Sequence, residues 1–171
     1  MGPRADVFEL GRFGLSSGEG RRLDLEVRID PLEFGGEHYA PEPAEVPIVL
    51  DVARTTQGYS LRVRYRVVLS GPCARCLEDA NRAVEVDARE IDQPGGGEEL
   101  RSPYLTGDDL DLRAWARDAL ALALPAQIVC RDDCLGLCDV CGENLNRAAE
   151  DHGHERPPDP RFQKLSELRL E

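Results

Sequence analysis

The chain has 171 residues, 41% of them hydrophobic, which is enough for one core with a small appended lobe. Acidic residues outnumber basic ones by 33 to 21, so the formal charge is −12 and a uniformly basic surface for gripping phosphates is excluded. No apolar run approaches the length of a membrane span, and the N-terminal MGPRADVFELGRFG lacks the apolar stretch of a signal peptide, so a cytoplasmic protein without membrane contact is expected.

In residues 21–30, RRLDLEVRID, the apolar side chains Leu23, Leu25, Val27 and Ile29 alternate with charged ones, the period of a strand with one wet face. Residues 31–45 carry Pro31, Gly35, Gly36, Pro41 and Pro43 among glutamates, a composition that predicts an exposed, mobile connection with His38 solvated. Two further alternations, Val46, Ile48, Leu50, Val52 and Leu61, Val63, Tyr65, Val67, Leu69, predict a hairpin turning at TTQG (55–58). The outward positions of its second strand hold Arg62, Arg64 and Arg66 at intervals of about 7 Å. Such a row is either a solvated face or, in so acidic a protein, a local contact for phosphate or an acidic partner.

The sequence GPCARCLE (71–78) puts Cys73 and Cys76 on a tight turn at the end of that strand, and Ala83, Val84, Val86, Ala88 and Ile91 predict a strand returning from it. Residues 93–103 form a polar loop whose triple glycine lacks the lysine and the strand-to-helix context of a phosphate loop. Asp111 is placed to cap a helix over residues 112–124, with Leu112, Trp115, Ala116, Ala119, Leu120 and Ala123 as its buried stripe and Pro125 as its stop. Trp115 is then a core anchor, and the cluster of Asp108, Asp109 and Asp111 is explained by capping and the helix dipole rather than by catalysis. Asp159 and Pro160 predict the start of a short C-terminal helix bearing Phe162, Leu165 and Leu168. No internal repeat is evident.

Four of the six cysteines fall within CRDDCLGLCDVC (130–141). In a reducing compartment such spacing points to metal, because short turns return a second thiolate to an ion about 2.3 Å from the first. The cysteines pair as Cys73 with Cys76, Cys130 with Cys134, and Cys138 with Cys141, and His152 with His154 offers a fourth pair. Eight ligands suit two tetrahedral zinc ions. The favoured arrangement closes one site with Cys73, Cys76, Cys130 and Cys134, and a local one with Cys138, Cys141, His152 and His154. The rival holds a single ion between two cysteine pairs, most simply Cys73, Cys76, Cys138 and Cys141. A set of four thiolates leaves no position for water, so the zinc is expected to be structural. Neither C-x-x-C opens a helix after a strand, which disfavours an oxidoreductase.

Taken together, GPCARCLE after an alternating strand, Asp111 and Leu112 opening a helix that ends LALP (122–125), CLGLCDVCGENLN (134–146), and DPRF (159–162) resemble the YceD family, named for a bacterial protein needed for accumulation of large-subunit ribosomal RNA. Many members carry Cys-x-Cys after the Asn-Leu-Asn run, where this chain has His152 and His154, a replacement that suits zinc. The resemblance implies a cytoplasmic factor in large-subunit ribosomal RNA processing, stability or assembly, and no known reaction.

The expected architecture is α+β: an antiparallel sheet of hairpins packed by one long helix, with a cysteine-rich zinc lobe and a short C-terminal helix. Residues 1–129 form the core and residues 130–171 the lobe. The expected role is binding, with large-subunit ribosomal RNA or basic ribosomal proteins as partners, through Arg62, Arg64, Arg66 and Arg75 for RNA or through the acidic surface for protein. The alternatives are a zinc-dependent hydrolase or nuclease, which needs an open coordination position beside a base such as Glu150 or Glu155, and a zinc-thiol redox switch.

Overall fold

Two-residue alternation builds the main sheet of this computed structural model, in which residues 6–154 are described. Strands β1 (Val7–Glu9), β2 (Gly20–Arg28), β3 (Leu32–Phe34), β4 (Glu37–Glu42), β5 (Glu45–Arg54), β6 (Tyr59–Pro72), β7 (Asp79–Asp92), β8 (Leu105–Thr106) and β9 (Asp109–Asp111) precede helix α1 (Leu112–Ala123). The fold is α+β, with antiparallel pairing throughout.

Strand β6 is the axis. Strand β7 runs along its whole length, from Tyr59 opposite Asp92 to Pro72 opposite Asp79. On the other edge, β5 pairs with residues 59–65 and β4 with residues 68–70. Strand β2 extends the sheet beyond β5, and β3 extends it beyond β4. Leu25, Val27, Val46, Ile48, Leu50, Val52, Leu61, Val63, Val67 and Leu69 line the buried face. Helix α1 covers part of it with Leu112, Trp115, Ala116, Ala119 and Leu120, and the buried Tyr65 hydroxyl donates to the Ala116 carbonyl. The Asp111 carboxylate accepts from the Ala114 N–H at 2.9 Å, capping the helix. Beside its N-terminus, β1, β9 and β8 form a small second sheet.

One expectation fails. Residues 31–45 are not a mobile connection: β3 and β4 form a hairpin with Leu32, Tyr39 and Pro41 buried, although His38 is exposed as expected. Gly35 and Gly36 are its two-residue turn, with φ of 64° and 83°, the conformation a tight hairpin requires and a side chain resists. The Tyr39 ring lies against the β6 backbone, where a Cβ on Gly71 would stand 2.4 Å from it. Its hydroxyl donates to the Pro72 carbonyl at 2.9 Å, beside the cysteine turn. The C-terminal helix expected around Phe162, Leu165 and Leu168 lies outside the described residues.

Candidate metal centres

The 14-residue strands β6 and β7 deliver a turn at residues 73–78 whose backbone is closed twice, by Cys73 N–H on the Glu78 carbonyl at 2.7 Å and by Leu77 N–H on the Cys73 carbonyl at 3.0 Å. The same bonds recur at residues 138–143: Cys138 N–H reaches the Glu143 carbonyl at 2.8 Å, and Gly142 N–H reaches Cys138 at 2.8 Å. CARCLE and CDVCGE are therefore two copies of one knuckle, a C-x-x-C-x-E repeat that was visible in the sequence but overlooked. In both, the residue after the second cysteine is left-handed: Leu77 at φ 61° and Gly142 at φ 76°.

After α1 the chain returns to the first knuckle. The Ala74 N–H donates to the Ile128 carbonyl at 2.8 Å, and Ile128 is fully buried. The Leu137 N–H donates to the Arg75 carbonyl at 3.1 Å, and the Arg75 guanidinium donates to the Cys134 carbonyl at 3.0 Å. Gly136, at φ 81°, allows this approach, since a Cβ there would meet the Arg75 carbonyl oxygen at 3.2 Å. These contacts bring Cys73 Sγ to 3.8 Å from Cys134 Sγ and Cys76 Sγ to 3.7 Å from Cys130 Sγ. Cys73, Cys76, Cys130 and Cys134 form one group with ligand atoms within 4.8 Å of one another, and Cys138, Cys141, His152 and His154 form a second. In the second group, Nε2 of His152 and of His154 lie 3.7 Å and 3.3 Å from Cys141 Sγ.

These spacings fit a tetrahedral ion. With metal–sulfur bonds of about 2.3 Å, the sulfur–sulfur edge of a tetrahedron is about 3.8 Å, and a mixed sulfur–nitrogen edge is about 3.6 Å. The protonation chemistry fits as well. Burial works against the Cys73 thiolate, but the N–H groups of Arg75, Cys76 and Cys130 outweigh it and bring the thiol down to about 6. Cys130 is pushed up to about 12 by burial and then by the neighbouring thiols. The Asn146 amide, chief among the causes, lowers Cys134. Burial and the neighbouring groups thus divide the four clustered sulfurs between thiolate and thiol, and a divalent cation at their centre would favour the thiolate at each. In the second group the His152 imidazole, then the N–H groups of Cys141 and Val140, bring Cys138 down to about 6, and that thiol in turn raises His152.

Supporting residues complete both groups. Glu143 Oε2 lies 3.0 Å from His152 Nδ1, the carboxylate–histidine pairing that aims Nε2 at a metal. Asn146 donates to Cys134 Sγ at 3.4 Å and accepts from the Leu135 N–H at 2.9 Å, while Asn144 holds Asn146 through its own side-chain oxygen. The Asn-Leu-Asn run is thus the brace of the first group. Its sequence signal was two asparagines at spacing two beside the cysteines.

The arginine row lies on an exposed face and meets carboxylates there. Arg62 pairs with Asp87 at 2.5 Å, Arg64 with Asp51 at 2.7 Å, and Arg66 with Glu85 at 3.7 Å, all across neighbouring strands. The face is a lattice of paired charges rather than a line of free cations, and Arg75 is engaged with the Cys134 carbonyl. Glu150 is exposed and Glu155 lies outside the described residues, so neither is shown as a base beside a metal.

The pattern of the family described as "Large ribosomal RNA subunit accumulation protein YceD" matches residues 61–169. Proteins of Mycobacterium tuberculosis and Mycobacterium bovis, each described as uncharacterized, are 38% identical over 171 residues, covering 95% of this chain and 79% of theirs. An uncharacterized protein of Mycobacterium leprae is 31% identical over 102 residues, covering 56% of this chain and 46% of its own. No solved structure matches the chain. The stretch that carries both knuckles, the helix and the Asn-Leu-Asn brace is the stretch that the family pattern spans, and the chain belongs to the YceD family.

Proposed function

We propose that this protein is a zinc-stabilised cytoplasmic factor that supports accumulation of large-subunit ribosomal RNA by binding rather than by catalysis. The observation that carries the reading is the gathering of eight soft donors into two groups of four within a member of the YceD family. Zinc is the metal of choice for such thiolate and imidazole sets. Cys73, Cys76, Cys130 and Cys134 would hold one ion, and Cys138, Cys141, His152 and His154 the other. In this reading residues 1–129 are a sheet-and-helix core and residues 130–171 a lobe pinned to the β6–β7 tip.

A hydrolase or nuclease is disfavoured because four protein donors per ion leave no position for an activated water. The Glu143 carboxylate beside the second group is already engaged with His152. Among the described residues no helix is long and apolar enough to cross a membrane.

The test is made in cells that carry this chain as their sole family member. Its removal should lower mature large-subunit ribosomal RNA relative to small-subunit RNA, with restoration by the wild type but not by Cys73→Ser. An unchanged ratio on removal overturns the reading.

A further inference from the structure

Three large apolar side chains stand exposed at the metal end of the molecule: Leu77 at 61%, Leu135 at 66% and Val140 at 55%. Each is a chain neighbour of a cysteine, since Leu77 follows Cys76, Leu135 follows Cys134 and Val140 precedes Cys141. Cys76 and Cys134 belong to one group, so Leu77 and Leu135 flank the same centre from two segments of the chain.

Leu77 is also the residue that local physics least favours. It is the one non-glycine residue with positive φ among the described residues, and it stands where the second knuckle has Gly142. A branched side chain in that region costs about 1 kcal/mol, and with most of its surface in water Leu77 recovers little of that by burial. Neither stability nor solubility accounts for a leucine there.

The charge around these side chains is negative. Residues 73–82 and 130–154 together carry eight carboxylates against four arginines. Arg82 pairs with Asp132, Arg131 with Asp133 and Arg147 with Glu78, which leaves the region net negative, and a zinc ion held by four thiolates would add a formal −2. Phosphate would be repelled, whereas lysine and arginine would be attracted.

We infer that the knuckle end, with Leu77 and Leu135 as its apolar anchors, is a docking surface for a basic protein segment that presents an apolar side chain. The inference rests on the proposed function and names the chemistry of its partner. Apolar anchors supply the affinity of such a contact, and the surrounding carboxylates supply its rate and selectivity.

The test titrates zinc-loaded protein with individually purified basic proteins of the large ribosomal subunit and, separately, with protein-free large-subunit ribosomal RNA, at low and high salt. At least one basic protein should bind, more weakly at high salt. The double variant Leu77→Ser with Leu135→Ser should lose about tenfold or more in affinity while keeping its zinc content and melting temperature, because both side chains are exposed. Asp132→Asn with Asp133→Asn should flatten the salt dependence. Failure of every basic protein to bind, binding unchanged in the double serine variant, or binding to RNA alone overturns the inference. Ribosomal RNA levels measured in cells lacking the protein separate the two ideas. A deficit without protein binding removes the docking surface and leaves the functional reading, whereas normal RNA with leucine-dependent binding removes the reading and leaves the surface.

Discussion

Cys73 and Cys134 are 61 residues apart in the chain and 3.8 Å apart at their sulfurs, so an ion held between them ties the tip of the longest hairpin to the segment that follows the helix. The second group closes within residues 138–154 and ties nothing distant. The two centres should therefore differ in what they contribute to the fold. Elemental analysis should find two zinc ions per chain, falling to one in Cys134→Ser and to one in Cys141→Ser. A cross-link closing a loop of this length is worth about 4 kcal/mol by loop entropy, so Cys134→Ser should lower the melting temperature of the sheet strongly and Cys141→Ser only slightly. A single ion kept in Cys134→Ser and lost in Cys141→Ser would instead indicate one double-knuckle site.

Glu143 should act on the metal without touching it. Its carboxylate fixes the His152 ring, so Glu143→Ala should weaken zinc at the histidine-bearing site by roughly 10–100-fold and leave the four-cysteine site unchanged. Competition with a chromophoric chelator reads this directly. Equal weakening of both sites would count against the assignment.

Leu77→Gly should be neutral to stabilising, by up to about 0.5 kcal/mol, because relief of the left-handed strain matches or slightly exceeds the entropy glycine adds to the unfolded chain. Gly142→Ala should do the reverse at the matching position, where φ is 76°. Denaturant midpoints at unchanged slope measure both. If Leu77 is a docking anchor, its glycine variant will be at least as stable and bind more weakly.

Acid should act in two stages. Zinc leaves first, as protons compete for the thiolates and imidazoles. The sheet loses stability later, because Asp51 is held below its usual value by Arg22 and then Arg64, and Asp30 by Arg113. A carboxylate with a depressed folded-state value contributes fully above the ordinary value near 4 and loses that contribution as pH falls through the folded one. The half-buried Asp51 pairs are worth about 1 kcal/mol, so Asp51→Asn should flatten the acid limb of a plot of melting temperature against pH. A limb of unchanged slope would place the acid sensitivity elsewhere.

Strand and helix positions were legible because their signals are local. The alternation through β5 and β6 selects one buried face whatever the rest of the chain does, and Asp111 caps its helix from three residues away. The β3–β4 hairpin was misread because Gly35 and Gly36 look the same in a sequence whether they break a segment or turn it, and only the packing of Tyr39 beside Gly71 separates the two. The pairing within the arginine row was illegible for a related reason: the carboxylates that meet Arg62, Arg64 and Arg66 sit on neighbouring strands, and register decides which charges meet.

The same division runs through the two groups of cysteine and histidine side chains. Spacing alone determined that the cysteines come in pairs, since a C-x-x-C turn brings two thiolates together by local geometry. Which pairs come together was decided only in three dimensions. The Ala74 bond to Ile128 and the Leu137 bond to Arg75 carry residues 130–137 back to the β6–β7 tip, and no local rule links segments more than fifty residues apart.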